Sequence, residues 1–322
     1  MTGTKPAAGG LLKRAATSDS ALAVFGIVVV SLVATAFGEH FLSFSNFESV
    51  VKSQSIIAVM AMGELLVIIP GGIDISIGAT FGLAGSAAAL SLGAGHSPLT
   101  AALIALACGA AVGLANGFFV AKLNIVPFIV TLGMMGIVRG LIFILTDAQS
   151  IYIDNPPFLA VDRIVVAWIP LPIWIAAAAC IFMHILLSRS VLGGRAYAVG
   201  GDEEAARMLG VKTGRVKMFC YVVSGLAAAA AGLMSAAKVE AAYPRAGEGY
   251  EFEAIAAVIV GGASITGGKG SAPAAALGAL FIGILKNAII QMDISQYWQQ
   301  TVNGFAVILV IMLSALISGR RR

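Results

Sequence analysis

The sequence has little charge. Only 11% of its 322 residues are Asp, Glu, Lys or Arg, whereas soluble globular proteins contain about 25%. The chain also has 59% hydrophobic residues and a mean hydropathy of +0.96. This composition excludes an ordinary soluble protein and predicts an all-α integral membrane protein. The net charge of +4 is modest, and we expect no nucleic-acid partner.

Cysteine and histidine are scarce as well. The three cysteines, Cys108, Cys180 and Cys220, lie in or beside apolar tracts, so we interpret them as buried thiols rather than a disulfide framework. The three histidines are isolated, and neither CxxC nor HExxH occurs. We therefore predict no metal site. Paired carboxylates or a nucleophile with a base do not recur at catalytic spacing, which disfavours a membrane-embedded enzyme.

A nucleotide-binding motif is also missing. The phosphate-binding loop requires GxxxxGK followed by Ser or Thr. Lys269 follows Gly268, but Gly270 stands at the Ser/Thr position and Ala263 stands where the first glycine is required. If ATP drives this protein, we expect a partner to bind it, and we predict no cofactor in this chain.

Long apolar tracts dominate the chain. A spanning helix needs about 20 apolar residues, and we predict ten spans, near 21–37, 49–69, 74–93, 98–121, 126–146, 166–187, 218–237, 254–266, 272–290 and 298–317. The first run resembles a signal peptide, but further spans follow it, so we expect it to remain uncleaved. Most Lys and Arg then fall on one side, which places both termini in the cytoplasm. A single transmembrane domain, 21–317, would lie between a cytoplasmic segment, 1–20, and a basic tail, 318–322.

The stretch PGGIDISIG (70–78) interrupts the apolar run between the second and third spans. We expect Asp74 and Ser76 to cap the next helix. Two interpretations are open: a capped turn, or a hinge beside a solute path. A weak echo, GGASITGG (261–268), shares its pattern. The candidate hinge residues are Gly71, Gly72, Gly78, Gly261 and Gly262.

The longest polar segment, 188–217, is predicted to be cytoplasmic. Within it, Asp202 as N-cap and Gly210 as the stop predict a helix of about two turns. Ala205, Met208 and Leu209 should form one apolar face, with Glu203, Glu204 and Arg207 on the wet side. So short a helix needs a surface to pack on, which is either its own spans or a groove in a partner.

Polar residues within the spans are candidates for a translocation pathway. Pro127 fits the first turn of a helix, and Phe128, Thr131, Met135 and Arg139 follow it on roughly one face. That face either packs against another helix or lines a path. Glu64 and Asp74 are further candidates, and a Glu64–Arg139 pair is one arrangement that would satisfy both charges.

Charged residues in the predicted outer loops are candidates for docking a soluble partner. Rim charges of this kind set encounter rate and specificity more than affinity. The alternative is an ordinary solvated loop. The candidates are Asp154, Arg163, Arg245, Glu248 and Glu251.

Three segments together resemble one transporter family: GGIDISIGATFGLAG (71–85), NIVPFIVTLGMMGIVRG (124–140), and the pair GGDEEAARMLGV (200–211) with AGEGYEFEAIAAVIVGGASITGGKG (246–270). The chain resembles the ribose-type sugar permeases of bacterial ATP-binding-cassette importers. The resemblance implies a bacterial inner-membrane protein with a ten-span, vitamin-B12-permease-like (type II importer) core.

The same resemblance implies partners. It implies a second permease copy or paralogue, two cytoplasmic ATPase domains that bind ATP and magnesium, a periplasmic sugar-binding protein, and lipid around the spans. The family's coupling helix, which docks on the ATPase, matches Asp202, Glu203, Glu204, Ala205, Ala206, Arg207, Met208, Leu209 and Gly210. The transported solute would be a monosaccharide or a related polyol.

An ion-coupled secondary transporter is the alternative from another class. Glu64, Asp74 and Arg139 would then serve as a proton relay. That reading accounts for broken helices and charged residues in the spans, but it leaves the capped cytoplasmic helix without a role.

Overall fold

The protein is helical in the part that its computed structural model describes, residues 21–37, 41–292, 298, 301, 304 and 305. The helices are α1 (Ala21–Phe37), α2 (Phe44–Ile68), α3 (Ile77–Gly93), α4 (Pro98–Lys122), α5 (Pro127–Thr146), α6 (Pro156–Arg163), α7 (Leu171–Arg189), α8 (Val191–Gly201), α9 (Glu203–Met208), α10 (Thr213–Val239), α11 (Tyr250–Val260) and α12 (Ala272–Gln291). Four two-residue strands, β1 (Ile151–Tyr152), β2 (Val165–Val166), β3 (Ile169–Pro170) and β4 (Ala241–Ala242), form the antiparallel pairs β1–β4 and β2–β3.

Six of these helices, α2, α4, α5, α7, α10 and α12, are long and apolar enough to cross a membrane. The shorter α1 and α3 are also apolar. The prediction of a multi-pass helical membrane protein is therefore confirmed. The count of ten spans stays a prediction, as does the side of the termini, because most of the tenth predicted span (298–317) lies outside the described residues.

Several predicted spans begin up to five residues from the observed helix; the spans predicted at 49–69 and 218–237 begin earlier, at Phe44 and Thr213. The span predicted at 166–187 starts only at Leu171, because the preceding residues form the β2–β3 hairpin. The span predicted at 254–266 is the helix α11, which has 11 residues. At about 1.5 Å per residue it extends about 16 Å, roughly half of a hydrocarbon core. Helix α11 is therefore too short to cross a hydrocarbon core by itself.

Small residues let the central helix α10 lie close to α4 and α3. A Cβ added at Gly225 would lie 2.0 Å from the carbonyl oxygen of Gly109, and one at Gly232 would lie 2.3 Å from that of Phe81. Close backbone approach of this kind is common between helices in lipid. An apolar side chain there gains little by leaving lipid tails for another helix, so tight packing has to stabilise the contact. Glycine at these positions therefore brings polar side chains of α10 next to those of α3 and α4.

The two Gly-rich breaks end their helices in the same way. Gly71 and Gly262 have φ of +85° and +90°, and each donates its N–H to the carbonyl three residues earlier, at 2.9 and 2.8 Å. The following N–H bonds the carbonyl five residues before it, which is the Schellman ending. Gly210, after α9, repeats this geometry. The structural equivalents are thus Gly71 and Gly262, one position off the sequence echo, and the echo reflects a common helix ending.

The two breaks also meet in space. The N–H of Gly268 donates to the carbonyl of Ile69 at 2.9 Å, and a Cβ at Gly200 in α8 would overlap that same carbonyl. Both breaks therefore lie at the end of the bundle that carries α8 and α9. We call this the α9 end, and the end where α10 finishes the opposite end.

Candidate functional site

Helix α9 is capped as the sequence predicts. The carboxylate of Asp202 accepts a hydrogen bond from the N–H of Ala205 at 2.9 Å, and the helix runs from Glu203 to Met208 before it ends at Gly210. Both acidic residues of its first turn, Glu203 and Glu204, complement the helix dipole. The predicted short helix between 202 and 210 is confirmed.

The face by which α9 packs on the bundle differs from the expected one. Ala206 is the buried residue, at 3% exposure, whereas Ala205 is only partly buried. Glu203, which was expected on the wet side, forms an ion pair with Lys217 of α10 at 2.6 Å and a longer one with Arg207 at 3.5 Å. The Glu203–Lys217 ion pair therefore attaches α9 to the start of α10, while Ala206 belongs to the core cluster that also contains Ala196 and Val199 of α8.

Electrostatics of the Glu203 carboxyl support this attachment. Its partial burial raises its pKa, but the hydrogen bond and charge of Lys217, with smaller contributions from Thr213 and Arg207, outweigh that effect. The net result is a pKa below the usual value for glutamate. Glu203 is therefore ionised at neutral pH, where it holds Lys217.

The remaining apolar side chains of α9 point away from the bundle. Met208 is 79% exposed and Leu209 is 85% exposed. Two large apolar side chains on a capped, charge-rich segment form a small surface suited to a partner's groove. We call Met208 and Leu209 the apolar tip.

A second feature is a buried network of polar side chains, which we call the polar cluster: Glu64, Asp74, Ser76, Asn116 and Ser224. Each is at most 2% exposed. The Asp74 carboxylate accepts bonds from Ser76 Oγ (2.6 Å), Ser224 Oγ (3.0 Å) and Asn116 Nδ2 (3.4 Å), and the Asp74 N–H donates to Glu64 Oε1 at 3.1 Å. Four helices, α2, α3, α4 and α10, are joined here.

The predicted capping role of Asp74 and Ser76 is wrong. Ser76 occupies the N-cap of α3, but its hydroxyl donates to Asp74 and caps no helical N–H. Asp74 accepts the N–H of Ser76 itself, at 3.1 Å. Their side chains satisfy each other and the polar cluster, because the break is surrounded by other helices rather than water.

The residues predicted to share one face of α5 differ in how deeply they are buried. Thr131 is fully buried, and its hydroxyl lies 3.2 Å from the carbonyl of Ile73 and 3.0 Å from that of Pro127. Phe128 is 49% exposed, and Met135 is partly buried. Thr131 thus holds the break at Ile73, while Phe128 points away from the bundle. The residues of this face therefore differ in burial, and their role in lining a translocation pathway stays a prediction.

Arg139 hydrogen-bonds to the backbone of the loop before α11 rather than to a carboxylate. Its guanidinium donates to the carbonyls of Pro244 (3.0 Å) and Ala246 (2.9 Å). The proposed Glu64–Arg139 pair is wrong, since Glu64 bonds the backbone of Asp74. Two carbonyl acceptors satisfy the arginine without a buried counter-ion.

One of the five rim charges is not at the surface. Glu251 is 5% exposed, and its Oε1 accepts the N–H of Gly249 at 3.1 Å. Its Oε2 lies where a Cβ of Gly78 would be, which explains why glycine is required there. Glu251 as a docking charge is therefore wrong, because α11 begins inside the bundle. The other four, Asp154, Arg163, Arg245 and Glu248, are exposed, and Arg163 pairs with Glu240 at 2.6 Å.

Sequence reasoning missed two members of the polar cluster, Asn116 and Ser224. Each is a polar residue within an otherwise apolar span, and in a membrane such a residue needs a partner. That signal was present in the sequence. Their common partner, Asp74, was visible only in the structure.

Multi-pass helices, broken spans and a short capped helix with an exposed apolar tip are compatible with a transporter's membrane subunit. The chain belongs to the family described as "Branched-chain amino acid transport system / permease component", whose model matches residues 46–313. The expected resemblance to permeases of ATP-binding-cassette importers is thereby confirmed, as is a place in the inner membrane.

Curated relatives cover nearly the whole chain. The ribose import permease protein of Escherichia coli (strain K12) is 34% identical over 89% of this chain and 90% of its own length. The D-allose transport system permease protein of the same strain is 34% identical over 90% of both chains. The L-arabinose transport system permease protein of that strain is 33% identical over 93% of this chain and 89% of its own. No solved structure matches the chain.

Proposed function

We propose that this chain is the membrane permease of an ATP-driven importer that moves a monosaccharide or related polyol from periplasm to cytoplasm. The chain itself has no ATPase site in this proposal, and ATP and magnesium are bound by a partner. The family supplies the class, and the relatives named for ribose, allose and arabinose supply the solute class. The observation that carries the coupling role is the apolar tip of α9.

The apolar tip is suited to transmit motion, because α9 has a capped N-terminus and is attached to α10 by an ion pair. Asp202 caps the helix, and the Glu203–Lys217 pair joins it to α10. A partner that accepts Met208 and Leu209 in a groove would therefore pull on α10 directly. Helix α10 in turn carries Ser224, a member of the polar cluster that fixes the break before α3.

The proposal includes three kinds of partner. Two ATPase domains dock on the α9 end of a permease dimer, whose second subunit is another copy or a paralogue. A periplasmic binding protein docks at the opposite end, with Asp154, Arg163, Arg245 and Glu248 as candidate contacts. Gly71, Gly72, Gly78, Gly261 and Gly262 remain the proposed hinge positions, although close contact alone accounts for glycine at Gly78 and Gly261.

The ion-coupled alternative has less support. Its relay required Glu64, Asp74 and Arg139 to act together, but Arg139 bonds loop carbonyls and Glu64 bonds Asp74. The relay therefore lacks its basic member. It also gives the exposed apolar tip no task.

The test is a crosslinking and transport experiment on the complete importer. Met208→Cys is placed in a background with Cys108→Ala, Cys180→Ala and Cys220→Ala, and Val191→Cys serves as control because it is 70% exposed on the neighbouring α8. We expect residue 208, and not residue 191, to crosslink to the ATPase subunit.

Uptake into proteoliposomes then identifies the solute class. Labelled D-ribose, D-allose and L-arabinose are compared with L-leucine, because the family description names branched-chain amino acids. ATP-dependent uptake of a sugar is expected. Uptake of leucine alone would overturn the solute class. Uptake driven by a proton gradient without ATP, and no crosslink at 208, would overturn the importer.

A further inference from the structure

A polar cavity lies between α2, α10, α11 and α12, apart from the polar cluster. Its volume is about 270 Å³, just below the roughly 300–1,000 Å³ of drug-sized ligand sites. It lies toward the opposite end, since Lys238 stands at the last turn of α10. Its polar lining comes from Ser53, Gln54, Ser235, Lys238, Tyr250, Glu253 and Lys286.

Two of the side chains that line this cavity carry a buried acceptor without a partner. Gln54 Oε1 and Glu253 Oε2 are buried, and neither has a hydrogen-bond partner among the described residues. A buried acceptor without a donor has lost its hydrogen bonds to water without replacement, so such groups are expected to be matched by something that enters the site. That occupant must carry hydrogen-bond donors.

The charges of the lining restrict the occupant further. Lys286 is paired with Glu253 Oε1, and Lys238 donates to Ser53 Oγ at 2.8 Å. An anion would be repelled by the free oxygen of Glu253, and an anion without an O–H group could not donate to Gln54. A cation would meet two lysines. A neutral polyhydroxyl compound can donate to both free acceptors and accept from the lysines.

The aromatic residue of the lining, Tyr250, also suits a neutral polyhydroxyl occupant. Tyr250 is held by Phe81, edge to face at 5.3 Å, and by Lys286, whose Nζ lies 5.9 Å from the ring centroid. The ring therefore has a fixed orientation at the wall of the cavity. It offers a flat apolar surface for the C–H groups of a sugar and a hydroxyl for its polar edge.

We propose that this cavity is an intramembrane binding site for a neutral monosaccharide or polyol within a single permease subunit, with Gln54, Glu253, Lys238 and Tyr250 as its recognition residues. The proposal rests on the proposed importer function and adds a site inside the permease to the selectivity of the binding protein. Glu253 and Tyr250 lie in α11, so occupancy is coupled to the half-length helix that ends at the second break.

The first experiment measures sugar uptake and ATP hydrolysis in proteoliposomes containing the full importer. The variants are Gln54→Met and Glu253→Gln, and the control is Gln149→Met, at an exposed glutamine in the loop that follows α5. We expect uptake to fall about fivefold to tenfold in both variants, as for the loss of one hydrogen bond to substrate. ATP hydrolysis should stay within about twofold, so that more ATP is consumed per sugar.

Two results of this experiment overturn the site. Unchanged uptake in both variants shows that the cavity is not used. A parallel loss of uptake and ATP hydrolysis shows a structural role only. If the wild-type importer takes up none of the three sugars, the proposed function fails by itself, and the second experiment then decides on the cavity.

The second experiment uses the purified full-length permease in lipid nanodiscs. Ser235→Cys, in the background without native cysteines, is labelled by a methanethiosulfonate reagent. We expect D-ribose, D-allose or L-arabinose to slow labelling at least threefold, and Gln54→Met to abolish this protection. Protection by inorganic phosphate but not by sugars would show an anion site, and no protection by any of these probes would contradict the proposal.

Discussion

The N–H of Asp74 donates to Oε1 of Glu64 at 3.1 Å, which ties the middle of the break to the helix before it. Both side chains are buried, and the Asp74 carboxylate also accepts from Ser76, Asn116 and Ser224. The break between α2 and α3 is therefore fixed by side chains from four helices. Its carboxylate acts as the common acceptor of the polar cluster.

Removing this acceptor should destabilise the protein. Asp74→Ala leaves the hydroxyls of Ser76 and Ser224 and the amide of Asn116 without their partner, and we expect a loss of about 3 kcal/mol or more. Asp74→Asn keeps one acceptor oxygen and should cost less. Thermal unfolding of the protein in detergent checks this. The control is Ser86→Ala, because Ser86 Oγ is buried in α3 without a partner; equal melting temperatures for Asp74→Ala and Ser86→Ala would contradict the assignment.

Gly78 should tolerate no side chain. A Cβ there would lie 2.5 Å from the carbonyl oxygen of Gly247 and would overlap Glu251 Oε2. Gly78→Ala must displace the start of α11, and we expect a cost of about 1–3 kcal/mol or more, as for overpacking. Gly93→Ala, in the same helix with no atom within 4 Å, is the matched control and should be neutral or slightly stabilising. The measurement is the melting temperature of each variant, and equal values for Gly78→Ala and Gly93→Ala would contradict the prediction.

Arg139 should order the loop before α11. Arg139→Met removes two charge-assisted hydrogen bonds to the carbonyls of Pro244 and Ala246. We expect amide exchange in residues 243–249 to accelerate at least tenfold, since such bonds contribute about 1.5–3 kcal/mol each. Arg163→Met, which removes an exposed ion pair, should leave that segment unchanged. Exchange at wild-type rates in Arg139→Met would show that other contacts order the loop.

The attachment of α9 should weaken in acid. Because the pKa of Glu203 is lowered in the folded protein, its stabilising effect is complete above the unfolded value of about 4.3 and is lost as the pH falls through the lower folded value. The pair is partly exposed and is screened by solvent, so the effect should be below about 1 kcal/mol. A spin label at Met208→Cys should become more mobile as the pH falls from about 7 to about 3.

Two further variants check this assignment. Lys217→Met should show the raised mobility already at neutral pH, because the lysine is the stronger partner, at 2.6 Å. Arg207→Met removes only the 3.5 Å contact and should resemble the wild type. A pH profile unchanged by Lys217→Met would assign the transition to another group.

Local features of the sequence were sufficient for part of this picture. The charge-poor composition predicted a membrane protein, because a helix that spans the lipid needs about 20 residues with few charges. Its backbone hydrogen-bonding groups must also be satisfied within the protein, which favours helices. Asp202 and Gly210 predicted α9 correctly, since capping depends on residues three or four apart. The family segments likewise lie in continuous stretches of the chain.

Tertiary structure decided the partners of the polar groups. Glu64 looked able to reach Arg139, but helix packing placed Asp74 beside Glu64 and carbonyls beside Arg139. Glu251 looked like a surface charge until α11 was found to begin inside the bundle. Gln54 and Glu253, nearly 200 residues apart in sequence, line one cavity only because four helices converge there. Periodicity reports which face of a helix is polar, whereas the group that satisfies it is set by contacts between segments distant in sequence.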